Sequence, residues 1–321
     1  MKYLKFIIAS TIAIAAVFGA VVFQKLRASS VQDISVKIVV GYHKPAALLD
    51  DKEVFVPIHL GRAVSRDVRV HSGNSSDEKV DERGWQWLLK NMIGDDTGDN
   101  ISLQNRSYCD LTGVYWAWKN LDELGNPDYI GSMHYRRHFA FKNGELNEWF
   151  VYVDSIDDEY QKKYGLNAEQ VKRTIAEYDV VVFPVVFQES IYEQYKKGHY
   201  VEVLDTALQV LREKYPEYSD TADEYMRSNR GYFLNMFVMK RELFREYCAF
   251  VFGIMEETTN HIRQNKEMVD EIFAKPVQAP GAHTIERLLS VFVEYKRKTS
   301  GIRVLELPVC FIEHPEKNLK F

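Results

Sequence analysis

The chain has 321 residues, 46% of them hydrophobic and 13% aromatic, and a formal net charge of −5. That composition excludes a disordered chain and fits one large domain or two small ones. The four basic residues within 1–27 (Lys2, Lys5, Lys25 and Arg27) face no acid there, so the remainder is more acidic still, which argues against a nucleic-acid binder.

Residues 6–23, FIIASTIAIAAVFGAVVF, form an uncharged apolar run with lysines before it and Lys25 and Arg27 after it. About 20 such residues span a bilayer core as a helix, and signal-peptide cores are shorter. The reading is a single-pass membrane anchor over 1–27, with a cleaved signal sequence as the alternative. Basic residues flank both ends, so the side of the membrane that carries the rest stays open. A linker over 28–34 follows. Residues 35–321 hold no Gly/Ser linker or low-complexity run and read as one domain of catalytic size.

The stretch SVKIVVGY (35–42) is a β-branched run ending near Gly41 and reads as a buried first strand. Residues 64–82 are polar and read as a surface loop. Over 107–124 Tyr108, Leu111, Tyr115 and Trp118 fall at helical spacing, with Ser107 and Asp110 placed as a capping box and Gly125-Asn126-Pro127 as a stop. A short apolar strand is predicted over 128–134. A helix over 167–178 then leads into a strand over 179–186, where Pro184 marks an edge or a bend. Helices over 199–215, 241–262 and 283–298 alternate with strands over 232–239 and 302–307. That alternation predicts an α/β sandwich around a mainly parallel sheet.

Five constellations carry the chemistry. His134-Tyr135-Arg136-Arg137-His138 stands where a buried strand runs out, and two adjacent guanidinium groups suit a diphosphate. If the strand continues, His134, Arg136 and His138 face one way and Tyr135 and Arg137 the other. The loop Gly94-Asp95-Asp96-Thr97-Gly98-Asp99-Asn100 could hold Mg²⁺ or Mn²⁺ through oxygen ligands, or could be a turn whose Asp side chains accept backbone N–H groups or contact substrate. His283 and Glu286 lie one turn apart on a helix, where Glu286 is either a general base or an acid favoured by the helix dipole. Asn235 sits within an apolar strand and needs a partner, ligand or backbone. His43 and Lys44 follow the first strand, where the first βα loop of such a sheet meets ligand. No P-loop, dinucleotide-binding, serine-hydrolase-elbow or zincin motif occurs. Cys109, Cys248 and Cys310 lack C-x-x-C spacing and read as free thiols.

Taken together, GDDTGDNIS, YCDLTGVYWAWKN and YIGSMHYRRHF resemble the patterns D-x-x-G-x-N-I-S, Y-C-E-L-T-x-x-Y-W-x-W-K-N and H-Y-R-R-x-F of a family of bacterial glycosyltransferase-like proteins. That family belongs to capsular, exopolysaccharide and lipopolysaccharide biosynthesis and was long catalogued only as a domain of unknown function. YFLNMFVMKRELFREYCAFVF and ERLLSVFVEY also fit, so the resemblance covers about 36–296. Asp110 stands where the pattern has Glu, and the amino-terminal apolar run is not typical. The resemblance implies a GT-A-like, Rossmann-type three-layer fold and transfer of a sugar from a nucleoside diphosphate sugar to a surface polysaccharide or glycolipid acceptor. The site residues it carries over are Asp95, Asp96, Asp99, Asn100, His134, Arg136, Arg137, Asn235 and Glu286. On that reading Arg136 and Arg137 take over much of a metal's role, and Glu286 or Asp96 accepts the acceptor's proton. The alternative from another class is a non-catalytic, membrane-tethered glycan- or nucleotide-binding protein.

Overall fold

A computed structural model describes residues 33–64, 80–142, 148–265, 267, 269 and 279–319. The expected anchor (6–23) lies outside them, as does most of the polar stretch 64–82. No helix among the described residues is long and apolar enough to cross a membrane.

The strands are β1 (Val36–Tyr42), β2 (Phe55–His59), β3 (Ile93–Gly94), β4 (Tyr129–His134), β5 (Arg137–Phe139), β6 (Phe150–Val153), β7 (Val180–Val186), β8 (Arg230–Lys240), β9 (Val304–Glu306) and β10 (Val309–Ile312). Parallel pairings join β1 to β2 and β4, β2 to β3, β6 to β10, and β7 to β9. Antiparallel pairings join β4 to β5 and β8, β7 to β8, and β5 to β10. The sheet is therefore mixed, with the parallel pairings in the majority. Two of the antiparallel pairings come from β8, which returns beside β7, and two from β5, which returns beside β4.

Alternation along the strands divides two cores. On β1, Val39 packs with one cluster, and Val36, Ile38, Val40 and Tyr42 pack with the other. Val180 and Val182 of β7, with Phe237 and Met239 of β8, join the Val39 side, and their sequence neighbours join the opposite side. The Val39 side is covered by the helices Leu111–Lys119, Val201–Lys214, Arg241–Gln264 and Pro280–Ser300. The other side is covered by Glu82–Asn91, Asp158–Tyr164 and Ala168–Ile175. Three layers result, as the alternation predicts.

The sheet forks at β4. Its first four residues pair with β8, down to Ser132 opposite Phe237, and its last residue, His134, pairs with Arg137 of β5. Continuing the β8 register would set His134 opposite Asn235. Leu234 and Asn235 instead adopt positive φ (71° and 51°), and the β7–β8 ladder shifts register between Val182 and Pro184. A bulge of this kind ends pairing and re-aims side chains. The candidate site lies at this fork, and Pro184 sits at the register shift, past the last residue of β7 that pairs with β9.

Candidate active site

Parallel pairing puts Gly41 of β1 opposite His134 of β4, so both strands end on one edge of the sheet. Ligands of open α/β sheets bind at such carboxyl ends. His43, just past β1, packs against Tyr135 (ring centroids 5.1 Å) and His134 (5.9 Å), and half-buried Lys44 follows it. The expected continuation of the strand through the His-Tyr-Arg-Arg cluster does not occur. Tyr135 and Arg136 are the two turn residues of a hairpin, and Arg137 opens the return strand opposite His134. A directly paired residue shares its partner's face, so Arg137 and His134 are neighbours instead of facing apart.

Arg136 and Arg137 are both half-buried, with their guanidinium carbons 5.5 and 5.4 Å from the Phe311 ring centroid. Among the described residues neither guanidinium has a carboxylate within ion-pair distance, and the buried Arg136 Nε has no hydrogen-bond partner. Burial, then the charge of Arg136, pulls Arg137 below the usual guanidinium range, while Asp110 and Glu286 oppose the shift. Burial and the neighbouring Arg137 hold His134 well below its ordinary value, so its ring is neutral, and its Nδ1 is unpartnered.

The facing wall comes from β8 and the last long helix. Glu286 Oε1 accepts the Leu234 backbone N–H at 2.6 Å and so holds the bulge. Its Oε2 accepts from Arg287 Nη1 at 2.6 Å. Arg287 is 1% exposed, lies 4.9 Å from both the Tyr195 and Phe233 rings, and also donates to Gln194 and to the His283 carbonyl. The bulge turns Asn235 toward Asp110, whose carboxylate its side chain hydrogen-bonds, leaving the buried Asn235 Oδ1 unpaired.

Asp110 is the residue that sequence reasoning missed. The predicted continuous helix 107–124 is broken into Asn105–Tyr108, Leu111–Lys119 and the 3₁₀ turn Leu121–Leu124. Cys109 has φ 47°, and Asp110 makes no side-chain cap bond. The capping box at Ser107 is therefore not formed, and the Asp110 carboxyl turns to the site. Burial, then the charge of Glu286, pushes it up to about 7, against Arg137 and the Asn235 bond. An aspartate ahead of an apolar stripe reads as an ordinary cap, which is why the sequence conceals it.

The acidic loop is largely self-contained. Asp95 is fully buried and accepts from Gly61 N (2.6 Å), Arg62 N (3.0 Å), Ser102 Oγ (2.5 Å) and Thr112 Oγ1 (2.6 Å). Asp96 pairs with Arg62, 2.6 Å from Nε. That guanidinium lies over Gly94, where any Cβ would collide with it. Asp99 lies 3.4 Å from the Tyr115 hydroxyl and 4.0 Å from Lys119 Nζ, and Asn100 bonds Gly98 O and Ser102 N. Asp95 thus accepts backbone N–H groups, as the turn reading expects. Among the described residues no three His, Cys, Asp or Glu side chains stand together as metal ligands. His283 stacks on His199 at 3.9 Å. Burial lowers both rings, His199 to about 3 with His283 adding to the shift. The structure thus gathers His43, His134, Arg136, Arg137, Asn235 and Glu286 with Asp110. It places Asp95, Asp96, Asp99 and Asn100 around Arg62, Thr112 and Lys119, and His283 one turn behind Glu286.

Residues 37–297 match a family described as a domain of unknown function, DUF4422. No curated protein matches. Among solved structures the chain is similar to the apo structure of WbbM, described as a bifunctional glycosyltransferase, with 30% identity and a TM-score of 0.70. The match covers 87% of this chain and 45% of that one, so this chain spans less than half of that protein's length.

Proposed function

Since the chain belongs to the DUF4422 family, we propose that it is a glycosyltransferase that moves a sugar from a nucleoside diphosphate sugar to a surface polysaccharide or glycolipid acceptor. The observation that carries this reading is the pair of half-buried guanidinium groups at the carboxyl ends of β1 and β4, without a carboxylate in ion-pair contact among the described residues. Burying such charge is costly unless an anion meets it. The likeness to a glycosyltransferase at 30% identity supports the same reading.

In this mechanism Arg136 and Arg137 receive the diphosphate, and their fixed positive charge stabilises it as the bond to the anomeric carbon breaks. The neutral His134 and the unpaired Asn235 Oδ1 offer hydrogen-bonding groups to donor or acceptor hydroxyls. We assign the base to Asp110. Glu286 is committed to the Leu234 N–H and to Arg287, and Asp96 to Arg62. Asp110 has the proton affinity suited to taking a hydroxyl proton near neutral pH. The acceptor oxygen then bonds to the anomeric carbon as the diphosphate departs. Residues 6–23 would tether the enzyme to a membrane.

The test is turnover by the full chain with a panel of UDP-sugars, with and without EDTA. Donor cleavage or transfer that persists in EDTA and collapses in the Arg136→Ala, Arg137→Ala double variant is the expected result. Full turnover by that variant rejects the arginine clamp, as does loss in EDTA restored by Mn²⁺. Binding of UDP without turnover of any donor favours the non-catalytic reading.

A further inference from the structure

Beside the arginines the small strands carry a row of rings that the proposed donor site does not use. Pairing sets Arg137 of β5 opposite Phe311 of β10, and Phe311 opposite Tyr152 of β6. Directly opposed residues share a face, so these three side chains form one line across the strands. The Phe311 and Tyr152 rings lie 5.7 Å apart, and both guanidinium groups rest on Phe311 from the site side.

The next row on the same face, two residues along each strand, is Phe139, Val309 and Phe150. Phe139 and Val309 are fully buried, and Phe150 packs on Phe183 at 4.7 Å. Two of that row's three residues are closed by the core, and Phe150 is 37% exposed. The Arg137–Phe311–Tyr152 row is open, with Tyr152 69% exposed, and β6 is the last strand of its branch. Two interstrand steps give the row a length of roughly 10 Å, about the span of a disaccharide.

We propose that this row is a saccharide subsite: the glycan of the acceptor lies along Phe311 and Tyr152, its apolar ring faces on the aromatic rings, with the reacting end toward Arg137 and Asp110. The inference rests on the glycosyl-transfer reading. It commits to a saccharide because the row starts at the guanidinium pair and is one ring wide, which suits a chain fed into a site better than a flat partner. Aromatic faces supply contact area at low conformational cost, and Arg136 and Arg137 at its inner end supply hydrogen-bond donors to hydroxyls.

The experiment uses the full chain in detergent, saturated with UDP. Saturation-transfer NMR follows a panel of mono- to tetrasaccharides of galactose, glucose and N-acetylglucosamine. Tyr152→Leu keeps an apolar side chain without a ring face, and Tyr152→Phe restores the ring. Wild type and Tyr152→Phe should give equal saturation of protons on one sugar face, and Tyr152→Leu should weaken binding about 2- to 10-fold. Equal signals in wild type and Tyr152→Leu overturn the proposal, as does a panel in which nothing registers on wild type. A bimane label on Tyr152→Cys that shifts to the blue in phosphatidylethanolamine–phosphatidylglycerol vesicles, and does not respond to the saccharides, assigns the row to lipid and also overturns it. The melting temperature with and without UDP is read in parallel. If UDP does not stabilise wild type, the donor reading has failed; if it does and the saccharide result is negative, only the subsite has failed.

Discussion

A carboxyl group that shares a partly buried site with another carboxylate holds its proton to higher pH, and Asp110 does so to about 7. In the unfolded chain it releases that proton near the ordinary value of 3.8. Its contribution to stability is therefore fully present below that value and is lost as pH rises through 7. Asp110→Asn removes the penalty, so it should melt ~2–4 °C above wild type at pH 8 and level with it near pH 4. The same change should lower kcat/KM by about 10²- to 10⁴-fold. The wild-type profile should climb with pH to a plateau above 7, since the base acts without its proton. A pH series of melting curves beside the rate profile checks both. Arg287 makes the opposite case. It is buried under two rings, and Arg287→Met leaves Glu286 without its cation, at about 3–5 kcal/mol by urea unfolding. Two arginines after an apolar strand are out of place in any soluble core, which makes the His134–Arg137 cluster legible in the sequence. Asp110 and Arg287 each fit a bland helical role, so only the folded contacts reveal them.

Three irregular elements position those residues: the broken helix at Cys109, the bulge at Leu234 and Asn235, and the turn held by Asp95. Asp95 ties the end of β2 to the Leu111–Lys119 helix through Thr112. Asp95→Ala strands four donors at once, at about 1–3 kcal/mol for each one left without a partner. It should lower the melting temperature strongly while the folded fraction binds UDP with wild-type affinity. A metal or substrate role for Asp95 predicts the reverse, lost affinity in a stable fold. Regular elements were readable because period-2 and period-3.6 patterns report which face is buried. The strands over 35–42, 128–134, 179–186 and 232–239, and the helices over 241–262 and 283–298, stand within a few residues of their expected bounds. The irregular elements were not readable. Positive φ at Cys109, Leu234 and Asn235 is imposed by tertiary contacts such as the Glu286 bond, not by local propensity. The hairpin at Tyr135 and Arg136 carries no Gly or Asn to announce it, and β5, β6 and β10 are too short to show a period.

At the scale of the whole molecule, one sheet divides two cores, and its fork at β4 brings five segments together: the end of β1, the end of β4, the β8 bulge, the helix start at Asp110, and Glu286. The α/β class and the sandwich followed from alternation alone; the antiparallel pairings did not, because helices cover both faces of the sheet and strands of either direction are buried on both sides. The guanidinium pair is a cationic spot within an acidic chain, an arrangement that draws an anionic donor to the site. Whether the two guanidinium groups receive a diphosphate decides the account. The direct measurement is calorimetric titration of UDP and UDP-sugars into the full chain and into the Arg136→Gln, Arg137→Gln double variant, whose melting curve reports whether it is folded. A saturable UDP affinity in wild type that falls at least ~100-fold in the folded variant, about 1.5–3 kcal/mol for each charged bond lost, is the predicted result. Equal affinity in the two proteins would contradict it.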